Sequence, residues 1–157
     1  MKRYCVTPIV TVVMLTFAIV SASGQTGRKS VSAAEVTGTF RMEFTGKFRG
    51  NSDEIKIAST GRRKLRVFMD LTFPYKMANG EDMANVGQLD GEFAIDGDVA
   101  TYASHDEQCK MTIHFLRPGA IEVHQDGSDA ACGFGNNVFA TGIYRRVSSR
   151  KPKFDEQ

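Results

Sequence analysis

The sequence is poor in the residues that metal centres and catalytic motifs require. It holds three histidines and three cysteines, with no Cys-x-x-Cys pair and no Gly-x-Ser-x-Gly motif. The first absence argues against zinc or dithiol redox chemistry, and the second argues against the nucleophile turn of the α/β-hydrolases. No Cys–His nucleophile pair is indicated either. We therefore expect a protein that is not an enzyme and needs no cofactor.

Long apolar runs are also scarce, and the one that occurs lies near the N-terminus. Residues 6–20 carry no charge, follow two basic residues and precede the small residues 21–24. This order is typical of a secretory signal peptide, and the run is short for a membrane span. We expect residues 1–24 to be the signal, with cleavage after Ala22 or Gly24. The mature protein would then be secreted or periplasmic, without stable membrane insertion.

The mature chain lacks an excess of either charge. The whole chain has 20 Lys and Arg and 18 Asp and Glu, and the signal removes two bases, which leaves 18 of each. A nucleic-acid binder needs a clear positive surplus, so no nucleic-acid partner is expected. Residues 41–67 nevertheless carry eight bases against three acids, and residues 68–130 carry twelve acids against three bases. These charges belong either to solvated strand faces or to an acidic surface for a cationic partner.

Beyond residue 24 the sequence lacks the apolar spacing of an amphipathic helix. Apolar residues instead occupy alternate positions, as over residues 65–73, which is typical of half-buried strands. Turn signals such as Asp96-Gly97 separate these runs. Strands are expected at 36–49, 54–59, 64–73, 87–95, 98–104, 108–116, 119–125 and 138–146.

Eight strands with short connections predict an all-β fold, an antiparallel meander closed into a small barrel of the lipocalin-like or calycin-like type. Closure removes the exposed edges of the first and last strands. A two-sheet sandwich is the alternative. We expect one barrel domain over 35–146, a flexible segment over 25–34 and a polar tail over 147–157.

A Gly-x-Phe/Tyr pattern recurs at Gly38, Gly46, Gly91 and Gly142. Glycine inside a strand often marks a bend, and a nearby ring can cover the bare backbone. We therefore expect Gly38, Gly91 and Gly142 to be structural. Because the first and last strands both carry the pattern, they are expected to lie side by side at the barrel seam.

Two of the three cysteines remain after removal of the signal, which contains Cys5. The strands at 108–116 and 119–125 would form a hairpin that brings the chain after residue 126 opposite Cys109. Cys132 follows a few residues later, so a Cys109–Cys132 disulfide is predicted for an oxidising compartment. A reactive thiol pair or a metal site is the alternative, but no histidine flanks either cysteine closely.

His114 and His124 are candidates for a metal pair, because both point outward from the same predicted hairpin. No third ligand is indicated beyond His105 or Glu122, so two solvated histidines and no metal are expected.

The longest connection is expected over 74–88, and long loops on rigid scaffolds are common binding surfaces. A flap that covers one barrel end is the alternative. The candidate partner-binding residues combine adaptable apolar side chains with acids: Tyr75, Met77, Glu81, Asp82, Met83, Asp90 and Glu92.

The C-terminal part carries a distinctive pattern: C-x-M-x-I-x-F from Cys109, then C-G-F-G-N-N-V from Cys132, then Gly142-x-Tyr144. It resembles a group of small secreted bacterial proteins of unknown function that end in C-x-F-G-x-N-V-x-x-x-G-x-Y. In some of them this module is similar to, or found beside, domains named as lysozyme-inhibitor-like. The resemblance covers about residues 86–146. It implies the disulfide and the barrel, and it transfers no inhibitory residue.

Three functions remain open from the sequence. The first is a secreted or periplasmic, non-catalytic binding module with an unknown protein partner, including an inhibitor of a cationic enzyme such as lysozyme. The second is a lipocalin-like carrier of a small apolar ligand, since eleven Phe and seven Met could line a cavity. The third is a structural protein of the cell envelope.

Overall fold

The computed structural model describes residues 30–116 and 119–154. The expected signal peptide, its cleavage positions and most of the 25–34 segment lie outside the described residues. Within them, the chain is an antiparallel meander whose eight strands close into a barrel in sequence order. The strands are β1 (Gly38–Glu43), β2 (Ser52–Gly61), β3 (Lys64–Lys76), β4 (Asp82–Asp96), β5 (Val99–Ala103), β6 (Lys110–Leu116), β7 (Ala120–Asp126) and β8 (Gly142–Ser148).

The predicted eight-stranded barrel is therefore confirmed, and the two-sheet sandwich is wrong. The seam is also as predicted, because β1 pairs with both β2 and β8, with Phe40 opposite Arg146. One short helix, α1 (Ala33–Val36), and two 3-10 turns, Gly46–Phe48 and Ala130–Cys132, complete the elements of the described chain.

Large inward-facing side chains fill the barrel, because successive residues of a strand point to opposite faces. These residues form one buried cluster to which every strand contributes. The largest that are fully buried are Tyr144, Phe40, Phe93, Ile55, Ile57, Leu65, Met69, Leu71, Met111, Ile113, Ile121 and Val67.

One end of the barrel, here called the helix end, is covered by α1. Ser32 begins α1 with a capping box, in which its hydroxyl accepts from the Glu35 N–H while the Glu35 carboxylate accepts from the Ser32 N–H. The Arg146 guanidinium donates to the carbonyls of Ala34 and Glu35 and lies 5.1 Å from the centre of the Phe40 ring. This part of the expected flexible segment is thus an anchored helical turn.

The other end, here called the disulfide end, is covered by the segment between β7 and β8. Cys109 and Cys132 are bonded, with their Cα atoms 4.9 Å apart, which confirms the predicted disulfide. The Asp129 carboxylate accepts from the N–H groups of Ala130 and Asn137 and so shapes this segment. Phe134 from the same segment joins the buried cluster.

Several predicted boundaries are wrong. The first strand ends at Glu43, and Gly46 lies in a 3-10 turn rather than in a strand. The expected connection over 74–88 is mostly strand, since β3 runs to Lys76 and β4 begins at Asp82. The expected polar tail contributes residues 147 and 148 to β8, and the Phe154 ring lies 4.5 Å from the Arg66 guanidinium.

Candidate functional site

The most distinctive surface feature is the far part of the β3–β4 hairpin, residues 71–88, here called the arm. Strands β3 and β4 pair without interruption from Lys64 opposite Ala94 to Lys76 opposite Asp82. Strand β2, however, pairs with β3 only as far as Asp70, and β5 pairs only with the last three residues of β4. The arm therefore has no neighbouring strand on either side.

A compact turn closes the tip of the arm. The Met77 N–H donates to the Glu81 carbonyl at 2.9 Å, and the Gly80 N–H donates to the Met77 carbonyl at 2.9 Å. The Asn79 amide donates to the Glu81 carboxylate at 2.8 Å, and its oxygen accepts from the Glu81 N–H. The tip is thus held by its own hydrogen bonds.

Val86, which is 60% exposed, lies opposite Thr72 on the outward face of the arm, and further exposed apolar side chains follow its inward face. This face continues the buried face of β3, so that Phe73 and Tyr75 follow the buried Leu71, and Met83 lies opposite Tyr75. Phe73 is 40% exposed, and Met77 and Met83 are each 45% exposed. The structure thus brings together the three apolar candidates Tyr75, Met77 and Met83 and adds Phe73, which alternation alone assigns to the core.

The free edge of β3 is protected against pairing with another strand. The Asp53 carboxylate, on the buried face of β2, accepts the Thr72 N–H at 2.7 Å. Two residues further along the same edge, Pro74 has no N–H to offer. Because the Thr72 N–H is already bonded and Pro74 has none, this edge is a poor template for the addition of another strand. Burial raises the pKa of the Asp53 carboxyl to about 6, and the hydrogen bonds from Thr72 oppose that rise.

The free edge of β4 is covered from the C-terminal segment. The Gly135 N–H donates to the Val86 carbonyl at 2.9 Å, and the Asn85 amide donates to the Asn136 carbonyl at 2.6 Å. The Phe134 ring lies on Gly87, where an added Cβ would approach it to 2.8 Å. The sequence does not predict this role of Gly87, and the only indication of it is a glycine inside an apolar strand pattern.

The acidic candidates are mostly neutralised by neighbouring bases. Ion pairs join Lys76 to Asp82 at 2.6 Å, Arg66 to Asp90 at 2.7 Å and Lys64 to Glu92 at 2.6 Å. The basic segment and the acidic segment of the sequence thus face each other across β3 and β4. Of the four acidic candidates, only Glu81, at the tip, has no basic partner among the described residues.

A groove of about 510 Å³ lies beside the arm, between it and the 3-10 turn Gly46–Phe48. Its lining residues come from both sides: Lys47, Phe48, Arg49, Asn51, Thr72, Pro74, Asp82, Met83 and Ala84. The Lys47 ammonium lies 4.8 Å from the centre of the Phe48 ring. This groove includes the outward face of the arm, where Thr72, Pro74 and Ala84 lie.

The two histidine candidates are diagonal neighbours on the outer barrel face. His124 lies opposite Thr112, and His114 lies opposite Glu122. Both histidines are exposed. Among residues 30–116 and 119–154, no group of three His, Cys, Asp or Glu residues is placed to hold a metal ion.

The structural glycines allow close approaches, and an aromatic ring lies within 4 Å of an added Cβ at two of the three. At Gly91 an added Cβ would lie 3.0 Å from the Tyr102 ring, as the pattern predicts. At Gly142 it would meet the Met42 sulfur at 2.6 Å, and at Gly38 the Ser148 carbonyl oxygen at 2.4 Å. The expectation of a covering ring is therefore wrong at Gly38. At Gly142 the Tyr144 ring lies 3.8 Å from the added Cβ, and at both positions the seam itself brings β1 and β8 together.

None of the helices in the described parts of the chain has the length and apolar character to cross a bilayer. Comparison of the sequence and fold with protein-family models, curated proteins and solved structures gives no match.

Proposed function

We propose that this chain is a non-catalytic, protein-binding module of the secreted or periplasmic compartment, and that the arm is its contact surface. The observation that carries the proposal is the set of exposed apolar side chains on the arm, Phe73, Met77 and Met83, with the half-buried Tyr75 opposite Met83. Aromatic and methionine side chains are enriched in the buried centres of protein interfaces. The disulfide is typical of an oxidising compartment, and together with the signal-peptide pattern it supports export.

The construction of the arm supports a side-chain contact rather than strand addition. Asp53 and Pro74 protect the β3 edge, and the segment around Gly135 covers part of the β4 edge. The partner would then pack against the face of the arm, because the β3 edge is protected and the β4 edge is covered at Asn85 and Val86.

The carrier alternative receives less support, because large side chains occupy the barrel interior. Phe40, Phe93 and Tyr144 are fully buried within one continuous cluster. The interior of an eight-stranded barrel is narrow enough to be filled by its own side chains, and large buried residues such as these can fill it without a ligand.

An inhibitor of a cationic enzyme such as lysozyme is a narrower version of the proposal. Two observations support it. The Glu81 carboxylate at the arm tip has no basic partner among the described residues, and residues 86–146 resemble a module found beside lysozyme-inhibitor-like domains. The pairing of Asp82, Asp90 and Glu92 with the chain's own bases leaves long-range attraction weak.

Site-specific photocrosslinking in cells that make the protein tests the proposal. A photoreactive phenylalanine analogue replaces Phe73 in one variant and Val147, at the helix end, in the control. We expect a crosslinked protein at position 73 that is absent at position 147. No product at position 73, or the same product at both positions, would contradict the arm as the contact surface and would favour the structural role in the envelope.

The lysozyme version has its own assay. The mature protein is mixed in stoichiometric excess with a cationic lysozyme, and lysis of a cell-wall substrate is followed at low and at physiological salt. Inhibition that weakens with salt and is lost in Glu81→Gln supports this version. Full lysis in both conditions rejects it.

A further inference from the structure

We infer that the groove between the 3-10 turn Gly46–Phe48 and the outward face of the arm binds a carboxylate side chain flanked by apolar residues on a partner protein. This inference rests on the proposed function and adds the chemistry of the partner's segment. The local attraction is for an anion, in contrast to the cationic partner that the acidic residues 68–130 suggest.

Two cations supply the charge, Lys47 in the turn and Arg49 immediately after it. Lys47 and Arg49 both line the groove and are exposed, and neither has an ion-pair partner among the residues that the structure describes. The only acid in the lining, Asp82, is held at 2.6 Å by Lys76. The groove therefore has an uncompensated positive charge.

The opposite wall is apolar in its middle and also carries Thr72 and the Asp82 carboxylate. Pro74 and Ala84 lie opposite each other in the hairpin, and both line the groove together with Phe48 and Met83. Since Pro74 has no N–H, this wall offers few donors and favours apolar contact. A ligand that fits both walls carries an anion beside apolar groups, whereas a free inorganic anion would leave the apolar wall uncovered.

A carboxylate matches the cationic wall in shape as well as charge. A planar guanidinium such as that of Arg49 can donate two parallel hydrogen bonds to a carboxylate, and the Asn51 amide nearby is a further donor. The groove volume of about 510 Å³ lies within the range of ordinary ligand pockets, so it can accept a few side chains but not a folded domain. The occupant is thus a short segment of the partner.

Peptide binding followed by NMR tests the inference on the mature protein. The probe is the acetylated, amidated pentapeptide Gly-Phe-Glu-Phe-Gly, and its neutral counterpart has Gln in place of Glu. At low ionic strength we expect the acidic peptide to bind about three- to tenfold more tightly, the range that two exposed ion pairs supply. Resonances of the groove residues should shift on binding.

Two double variants with the same change in net charge separate the groove from general electrostatics. In Lys47→Gln/Arg49→Gln the preference for the acidic peptide should disappear. In Arg62→Gln/Lys153→Gln, which alters exposed cations outside the groove, it should persist. Equal binding of the two peptides by the wild type, no binding of either, or a preserved preference in the groove variant would overturn the inference. Those results would leave the crosslinking at Phe73 unaffected, so failure of the groove and failure of the arm are distinguishable.

Discussion

The Asp53 carboxylate accepts the backbone N–H of Thr72 at 2.7 Å, at the point where β3 leaves its partner β2. A side chain thus replaces the next strand-to-strand hydrogen bond and fixes the base of the arm. The group is 2% exposed and lies near the Asp70 carboxylate, which raises its pKa further. Burial of the carboxylate that holds the arm therefore makes stability depend on pH.

We predict that this dependence is lost in Asp53→Asn, which keeps an acceptor for Thr72 but does not titrate. Burial raises the pKa of Asp53 from 3.8 to about 6, so the folded protein holds the proton more tightly than the unfolded chain does. The contribution of this group to stability is therefore complete below about pH 3.8 and is lost as the pH rises through about 6.

Urea unfolding of both proteins between about pH 4 and pH 7 measures this effect. The free energy of unfolding of Asp53→Asn, relative to the wild type, should rise across that range by up to about 3 kcal/mol. A difference that does not change with pH would contradict the account of the arm base.

The disulfide should contribute about 3 kcal/mol, the value that loop-entropy arguments give for a separation of 23 residues. Cys109→Ser/Cys132→Ser should lower the melting temperature by several degrees, and the reduced wild type should melt with it. Differential scanning calorimetry gives both values. Peptide mapping that finds two free thiols in the unreduced mature protein would contradict the bond.

Gly87 should tolerate a side chain less well than Gly61 does. A Cβ at Gly87 would approach the Phe134 ring to 2.8 Å, whereas nothing lies within 4 Å of a Cβ at Gly61. Gly87→Ala should therefore lower the free energy of unfolding by about 1–3 kcal/mol, and Gly61→Ala should leave it nearly unchanged. Chemical denaturation of the two variants gives the comparison, and equal stabilities would show that Phe134 does not pack on Gly87.

Arg146 should hold α1 on the helix end. Arg146→Met removes the donors to the carbonyls of Ala34 and Glu35 but keeps an unbranched side chain over Phe40. We expect a loss of about 1–3 kcal/mol and faster proteolysis before β1, whereas Arg145→Met, at an exposed position, should show neither. Mass spectrometry of limited digests locates the cuts, and identical digests of the two variants would refute the anchoring role.

Alternation predicts the barrel because each inward residue, such as Val67 or Ile113, meets a core. The same rule fails for the arm, since Phe73 and Tyr75 continue the pattern where no core remains to cover them. The hairpin persists there because β3 and β4 pair with each other. The alternation of apolar residues in each segment does not predict that the two strands continue to pair beyond the core.

Charge and packing over long sequence separations explain the other misses. The acidic segment suggests a charged surface, but bases of β3 neutralise the acids of β4. Arg66, opposite Glu92, forms an ion pair with Asp90, and Lys64, opposite Ala94, forms one with Glu92. The register between β3 and β4 determines which bases lie beside which acids, and a count of charges along the sequence does not give that register. Likewise, the contact of Phe134 with Gly87 depends on how the C-terminal segment covers the arm base.

The affinity of the crosslinked partner for arm variants tests the central claim most directly. Phe73→Ser/Met77→Ser removes two exposed side chains of the arm that do not line the groove, and Leu116→Ser/Val147→Ser removes two at the helix end with 39% and 53% exposure. Calorimetric titration should show at least about a tenfold loss of affinity for the arm variant and none for the control, with both folded like the wild type. Unchanged affinity in the arm variant, or an equal loss in the control, would contradict the arm as the binding surface.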